Sequence, residues 1–492
     1  MKLNGLLELG RNLPALRALA KMLAAGERPT EPLAIYHAAR PYVVATIARI
    51  LDRPLMVLTA RTNRARQWVD ELRTWLPDEI HVQNFADPDA LSYERIPWAS
   101  ETRQRRLEGL VGLLTWSVEQ GSRGAGEQGS GGAIASQIKI RDSLSGVEAS
   151  AGFSSLQKQP AKASTPEDYL NVYRAHRAPR TTQAAPIVVA SARALMAATL
   201  PVREMRLALR PIRQGQVFDL NKMLATWVGL GYESAAVVDA PGQFSRRGGI
   251  VDVWPPNLRQ PLRIELFGDE VDSLRSFDPS TQRTIARAEQ AWIGPASEAL
   301  PRLGARVTER LADLDLSPCH PPARTEYERE IEGLRAGAGF RNLEWWLPYL
   351  YSQPATLLDY LPVQGIVLVD DAAELLAAFA DLEGQAQQLA RDLSAAGDLP
   401  AKLTPPYFTA AALGERLARS HPVVLGSGGL GIGGLGTRES TGDHTIPLAH
   451  QRTIALPDSH TPALPHSHTP APPHSPTPSS PARATAVRCA PL

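Results

Sequence analysis

Residues 32–85 read PLAIYHAARPYVVATIARILDRPLMVLTARTNRARQWVDELRTWLPDEIHVQNF, and the spacing of their apolar residues switches repeatedly between strand and helix periods. Pro32 to Tyr36 reads as a short buried strand, Tyr42 to Leu51 as a helix and Leu55 to Leu58 as a second strand. Arg64 to Leu76 reads as a helix punctuated by Pro77, and Val82 to Phe85 as a third strand. Strands separated by helices of this length need crossover connections, so the predicted fold class is α/β, with a parallel sheet and right-handed crossovers.

Outward from this unit the character of the chain changes several times. Residues 1–30 carry Leu13, Leu16, Leu19 and Leu23 at helical spacing and stop at Gly26-Glu27-Arg28-Pro29, a helical lead-in. The α/β domain is expected over 31–117 and again over 186–200, where Pro186 to Ala190 reads as a buried strand and Ser191 is placed to cap a helix from Ala192 to Ala198. Between them, 118–185 loses its periodicity, with six Gly between Gly121 and Gly132, and is expected to be a flexible insertion. Residues 201–285 show short alternating strands and predict a small α+β domain inserted in the first. Helical segments return over 286–425, with a strand at Gly365 to Val369 before a helix from Asp370 to Leu393. Residues 426–492, Gly-rich and then rich in Pro and His, are expected to form a disordered tail, because such composition cannot bury enough surface to offset its chain entropy.

The 492 residues are 43% hydrophobic and 21% charged, enough for two or three globular domains. Lys+Arg of 52 against Asp+Glu of 51 leaves no global attraction to nucleic acid or an anionic membrane, so a charged partner must meet a local patch. Two cysteines, Cys319 and Cys489, lie far apart, so neither a disulfide framework nor a four-ligand zinc site is expected. Nowhere do 18 apolar residues run together, and Glu8 and Arg11 interrupt the N-terminal apolar stretch, so neither a membrane span nor a signal peptide is expected and the chain reads as cytoplasmic.

The most informative stretch, residues 232–278, reads YESAAVVDAPGQFSRRGGIVDVWPPNLRQPLRIELFGDEVDSLRSFD. Arg247-Gly248-Gly249 leads into an alternating strand, Ile250 to Trp254, that Pro255-Pro256 ends because proline has no amide hydrogen for the ladder. In Leu262 to Phe267, alternation places Leu262, Ile264 and Leu266 on one face and Arg263, Glu265 and Phe267 on the other. A large ring beside an arginine on a face that should be solvated has the composition of an interface hot spot. Alternation alone leaves a second reading open, in which Phe267 covers a neighbouring helix.

This stretch resembles the bacterial transcription-repair coupling factors, specifically their UvrB-homology module and the UvrB interaction domain within it. Further motifs carry the resemblance in order: Ala90-Leu91-Ser92-Tyr93-Glu94, Arg105-Arg106-Leu107, Pro241-Gly242-Gln243-Phe244, Thr281-Gln282-Arg283-Thr284, Pro295-Ala296-Ser297-Glu298 and Leu358-Asp359-Tyr360-Leu361-Pro362. It covers roughly 31–117 and 186–425. The resemblance implies a domain that docks on UvrA, with Arg247, Arg263 and Phe267 at the positions of the contact residues. It implies RNA polymerase and DNA as partners only through downstream domains, which are not expected in this chain.

UvrB-type proteins carry a phosphate-binding loop between their first strand and helix, where glycine amides, a lysine and a hydroxyl hold nucleotide and magnesium. Here Ala34 and His37 stand where glycines are needed, Arg40 replaces the lysine and Pro41 replaces the hydroxyl. The loop is therefore read as a degenerate nucleotide site, Arg40 as a surface residue at the helix start, and no cofactor, metal or catalytic residue is expected. The complete family member would be an ATP-dependent translocase, but no G-x-x-x-x-G-K-[ST] string occurs in the sequence. A UvrB-type damaged-DNA binder is disfavoured too, because the stretch between Val82 and Glu101 is too short for a DNA-clamping hairpin. His460, His466, His468 and His474 sit in a tail without a scaffold. Glu326, Glu328, Glu330 and Glu332 read as a solvated helical face, and Trp345-Trp346 as a core anchor.

Overall fold

A strand covered on both faces by helices is a nearly continuous apolar run, and Leu55–Thr59 is buried at every position. The computed structural model describes residues 3–127, 184–307 and 309–426. The chain lays down β1 (Leu55–Thr59), β2 (Val82–Phe85) and β3 (Ile187–Ser191). It then forms β4 (Arg210–Arg213), β5 (Glu233–Ser234), β6 (Gln243–Arg247), β7 (Ile250–Val253), β8 (Leu262–Phe267), β9 (Glu270–Phe277), β10 (Thr284–Ala288) and β11 (Gln290–Ile293), and returns with β12 (Ile366–Asp370) and β13 (Val423–Leu425). Strands of the first and last groups make one five-stranded parallel sheet in the order β13-β12-β1-β3-β2. The middle group makes a six-stranded sheet, β10-β9-β8-β7-β6-β5, antiparallel except for the β5–β6 pair, and a separate antiparallel pair of β4 with β11. The α/β class and the inserted, mainly antiparallel unit follow the pattern in the sequence.

Helices close both faces of the parallel sheet. Arg40–Leu51 and Thr62–Trp75 bury Val44, Ile47, Trp68 and Leu72 on one side together with Leu55, Val57 and Val189. On the other side Leu107, Leu110 and Leu114 of the helix Ser100–Glu127 join Met56, Leu58 and Val188. That second core is continuous with Val251, Val253, Leu262 and Ile264 of the inserted sheet. Ser191 caps the helix Ala192–Met196 by accepting a hydrogen bond from the Ala194 amide.

Three features depart from expectation. The segment from Pro32 to Tyr36 makes a single bridge, Leu33 to Leu425, at the β13 edge, and Ala34 and Tyr36 are exposed. Pro32 has no N–H to extend the ladder, so only Leu33 pairs, donating to the Val424 carbonyl. The helix that begins at Ser100 runs on to Glu127, through the start of the stretch expected to be a flexible insertion. The inserted unit is closed by β11, which returns to β4, so it extends past residue 285. The remainder of that insertion, 128–183, and the tail from 427 lie outside the described residues, as do the four tail histidines and Cys489. Among the described residues no helix is long and apolar enough to cross a membrane.

Candidate protein-docking site

Two tight hairpins set the site. β6 turns into β7 through Gly248-Gly249, and β8 into β9 through Gly268-Asp269. Gly248 and Gly268 have φ of 61° and 63°, the left-handed region in which a side chain would clash with its own backbone. Because successive hairpins turn at alternate ends of a meander, both glycine turns lie at the same end of the sheet. The register places Arg247 opposite Ile250 and Ile250 opposite Glu265, two residues before Phe267. Leu262 and Ile264 are buried on the inner face. Phe267, at the turn, is 82% exposed. It covers no helix.

The arginines are held differently. Arg247 keeps 53% of its side chain exposed while its Nη2 donates to Asp252 Oδ2 at 2.7 Å. Arg263, only 18% exposed, grips the same carboxylate with both prongs: Nε to Oδ1 at 2.7 Å and Nη2 to Oδ2 at 2.9 Å. Its guanidinium lies 4.7 Å from the centre of the Phe277 ring, and its Nη1 donates to the Gln282 carbonyl. Hydrogen bonding to Asp252 raises the Arg263 pKa further above its ordinary value, burial opposing. Asp252 itself is 1% exposed. Next along the face, Glu265 accepts from Ser273 at 2.6 Å and Arg275 at 2.9 Å. The three residues named from the sequence thus share one face, but only Phe267 and the outer part of Arg247 are freely presented. Arg263 lies lower on that face, held by the same carboxylate as Arg247. Sequence reasoning passed over Asp252, although an acid between Val251 and Val253 in a strand that faces a core was a signal that it has a partner.

The degenerate loop has a different geometry from the one expected. Arg40 is buried and forms an ion pair with Asp370, the last residue of β12. Its Nε also donates to the Ile35 carbonyl. The same carboxylate accepts from Arg64 Nε at 3.0 Å and Trp68 Nε1 at 2.6 Å. Arg40 is therefore no surface residue: its long stem lets the guanidinium reach the carboxyl end of the sheet, where α/β proteins place ligands. At the same end of the sheet, Asp87 accepts from both Thr62 and Ser191, the last residue of β3. Pro41 occupies the first turn of the helix, and His37 and Ala34 are exposed.

Other residues resolve simply. Glu330 is buried, accepting from Trp346 Nε1 at 2.7 Å and pairing with Arg95, because it shares the inner stripe of the helix Pro321–Arg335 with Tyr327, Ile331 and Leu334. Glu326, Glu328 and Glu332 are exposed as expected. His320 caps that helix, and its Nε2 lies 2.5 Å from Asp398 Oδ1. Trp346 is fully buried. No group of three metal-ligating side chains occurs among the described residues.

Residues 211–298, the segment that contains this face, match the family model of the UvrB interaction domain. This segment is similar to the UvrB interaction domain. The chain is 35% identical over 206 residues to the transcription-repair-coupling factor of Bacillus subtilis, covering 40% of this chain and 17% of that protein. It is 30% identical over 191 residues to the factor of Myxococcus xanthus, covering 38% of this chain and 16% of that protein. These matches support a transcription-repair-coupling-factor module built around the UvrB interaction domain. The chain spans about a sixth of the length of these curated relatives.

Proposed function

We propose that this chain is the UvrA-docking, UvrB-like part of a transcription-repair coupling factor, recruiting excision-repair machinery without chemistry of its own. The observation that carries the reading is Phe267, a ring held almost wholly in solvent at the end of a strand in the segment that matches the UvrB interaction domain, on the same sheet face as a half-exposed arginine. Nothing in the fold needs such a ring outside, whereas a partner with an apolar pocket and an acidic group would bury both at once. RNA polymerase and DNA belong, in this reading, to other domains of such factors, and the setting is the cytoplasm.

The non-catalytic half of the reading is supported by the carboxyl end of the parallel sheet, where Arg40, Arg64 and Trp68 converge on Asp370. A phosphate entering there would have to break a buried ion pair. The test has two arms. Calorimetric titration with UvrA of the same organism should give saturable binding that Phe267→Ala weakens about tenfold. Absence of binding would sink the docking reading. Millimolar ATP and magnesium should leave the melting temperature unchanged, where a micromolar site would add about 4 kcal/mol of stability.

A further inference from the structure

We infer that Asp252 is the positioning residue of the docking face, the single buried carboxylate that fixes both arginines in the geometry a partner meets. The inference rests on the proposal that this face docks UvrA. Asp252 lies on the outer face of β7, opposite Ser245 on one side and Arg263 on the other, yet it is 1% exposed. What covers it is the pair of guanidinium groups. Three N–H···O bonds of 2.7, 2.7 and 2.9 Å reach its two oxygens from both arginines. A carboxylate with this surround fixes position and charge together: bidentate arginine pairing is planar and directional, and two cations so close would repel without the anion between them. Arg263 is further fixed against Phe277 and Gln282. Arg247, tethered at one nitrogen and half exposed, reaches the partner with part of its rotamer freedom already lost.

The experiment uses the full chain and purified UvrA of the same organism. Asp252→Asn keeps the shape but sets an amide NH2 against arginine donors. It should weaken UvrA binding about tenfold in the wild-type background and equally in Phe267→Ala, yet change affinity less than twofold once Arg247 and Arg263 are both alanine. The same loss in every background would mean that Asp252 acts only through general stability, and the inference would fall. Undiminished binding by Asp252→Asn, with Arg247→Ala and Arg263→Ala both impaired, would overturn it while leaving the UvrA reading intact. If all three docking-residue variants bind normally, the UvrA reading falls instead, and positioning is judged without a partner. In that measurement the ¹⁵Nε–H group of Arg263 should be ordered in wild type and motionally averaged in Asp252→Asn. Unchanged order would overturn positioning whatever UvrA does. Should Asp252→Asn fail to fold, Asp252→Glu, which retains the charge but displaces it by one methylene, takes its place and should cost several-fold in affinity.

Discussion

Phe267 and Arg263 stand four residues apart on the same strand face and have opposite surroundings. Phe267 makes its ring available at no cost to the fold, so Phe267→Ala should change folding stability by less than about 0.5 kcal/mol while weakening UvrA binding. Arg263→Ala should do both. It removes two of the three hydrogen bonds on a buried carboxylate, and a buried charge that loses its partner costs about 3 kcal/mol. Melting temperature and affinity measured on both variants separate the roles: a Phe267→Ala protein that melts far below wild type would make the ring structural. Strand alternation was enough to place these side chains on one face, because a period of two is geometry that the sequence states directly. How far Arg263 projects was not legible, since that depends on Asp252, a cross-strand neighbour eleven positions away whose register only the fold supplies.

At the scale of the element, the α/β unit was readable wherever apolar runs are continuous: β1, β2, β3 and β12 fall within a residue or two of the sequence reading. The expected first strand failed because a single bridge at a sheet edge has no periodic signature. Arg40 was misread for a related reason. A charged residue at a helix start looks solvated until a carboxylate from a strand 330 positions away arrives beneath it. Burial alone would push the Asp370 carboxyl up, but hydrogen bonds from Trp68, Arg40 and Arg64 outweigh it and hold the pKa below its ordinary value. A depressed folded pKa contributes stability that is fully present above the unfolded value of about 3.9 and is lost as pH falls through the folded one. Wild type should therefore hold a stability plateau near neutrality and lose stability as the pH drops below about 4. Asp370→Asn, leaving Arg40 and Arg64 without their anion, should be about 3 kcal/mol less stable at pH 7 and should close part of that gap in acid. Urea midpoints at pH 7 and pH 3 check it. A variant equal to wild type at pH 7 would show that the cluster contributes nothing.

Across the whole molecule, the docking sheet and the parallel sheet share one core, and a buried ion pair lies where they join. Arg106, on the helix that covers the parallel sheet, is fully buried and grips Glu298, just beyond β11, through Nε to Oε1 at 2.6 Å and Nη2 to Oε2 at 3.0 Å. The guanidinium also stacks 4.2 Å from the Phe85 ring centre, and its Nη1 donates to the Ala86 carbonyl. Tyr351 donates to the Glu298 carbonyl from a third segment. Each residue was visible in the sequence only as part of a motif, and nothing in either motif named the other. Two charges at this depth repay their desolvation only while paired, so Arg106→Ala should cost about 3 to 5 kcal/mol and lower the melting temperature of both sheets. Replacing both charges, as Arg106→Met with Glu298→Leu, should recover most of the loss, because no uncompensated ion is left. Hydrogen exchange at β1 and β8 reads the junction directly: in wild type both strands should open together, and in Arg106→Ala β8 should open at lower free energy than β1. If the single and double variants are equally unstable, packing of the arginine stem and not the charge pair joins the two sheets. UvrA affinity of the folded double variant should equal that of wild type, since the docking face lies on the opposite side of its sheet from the shared core.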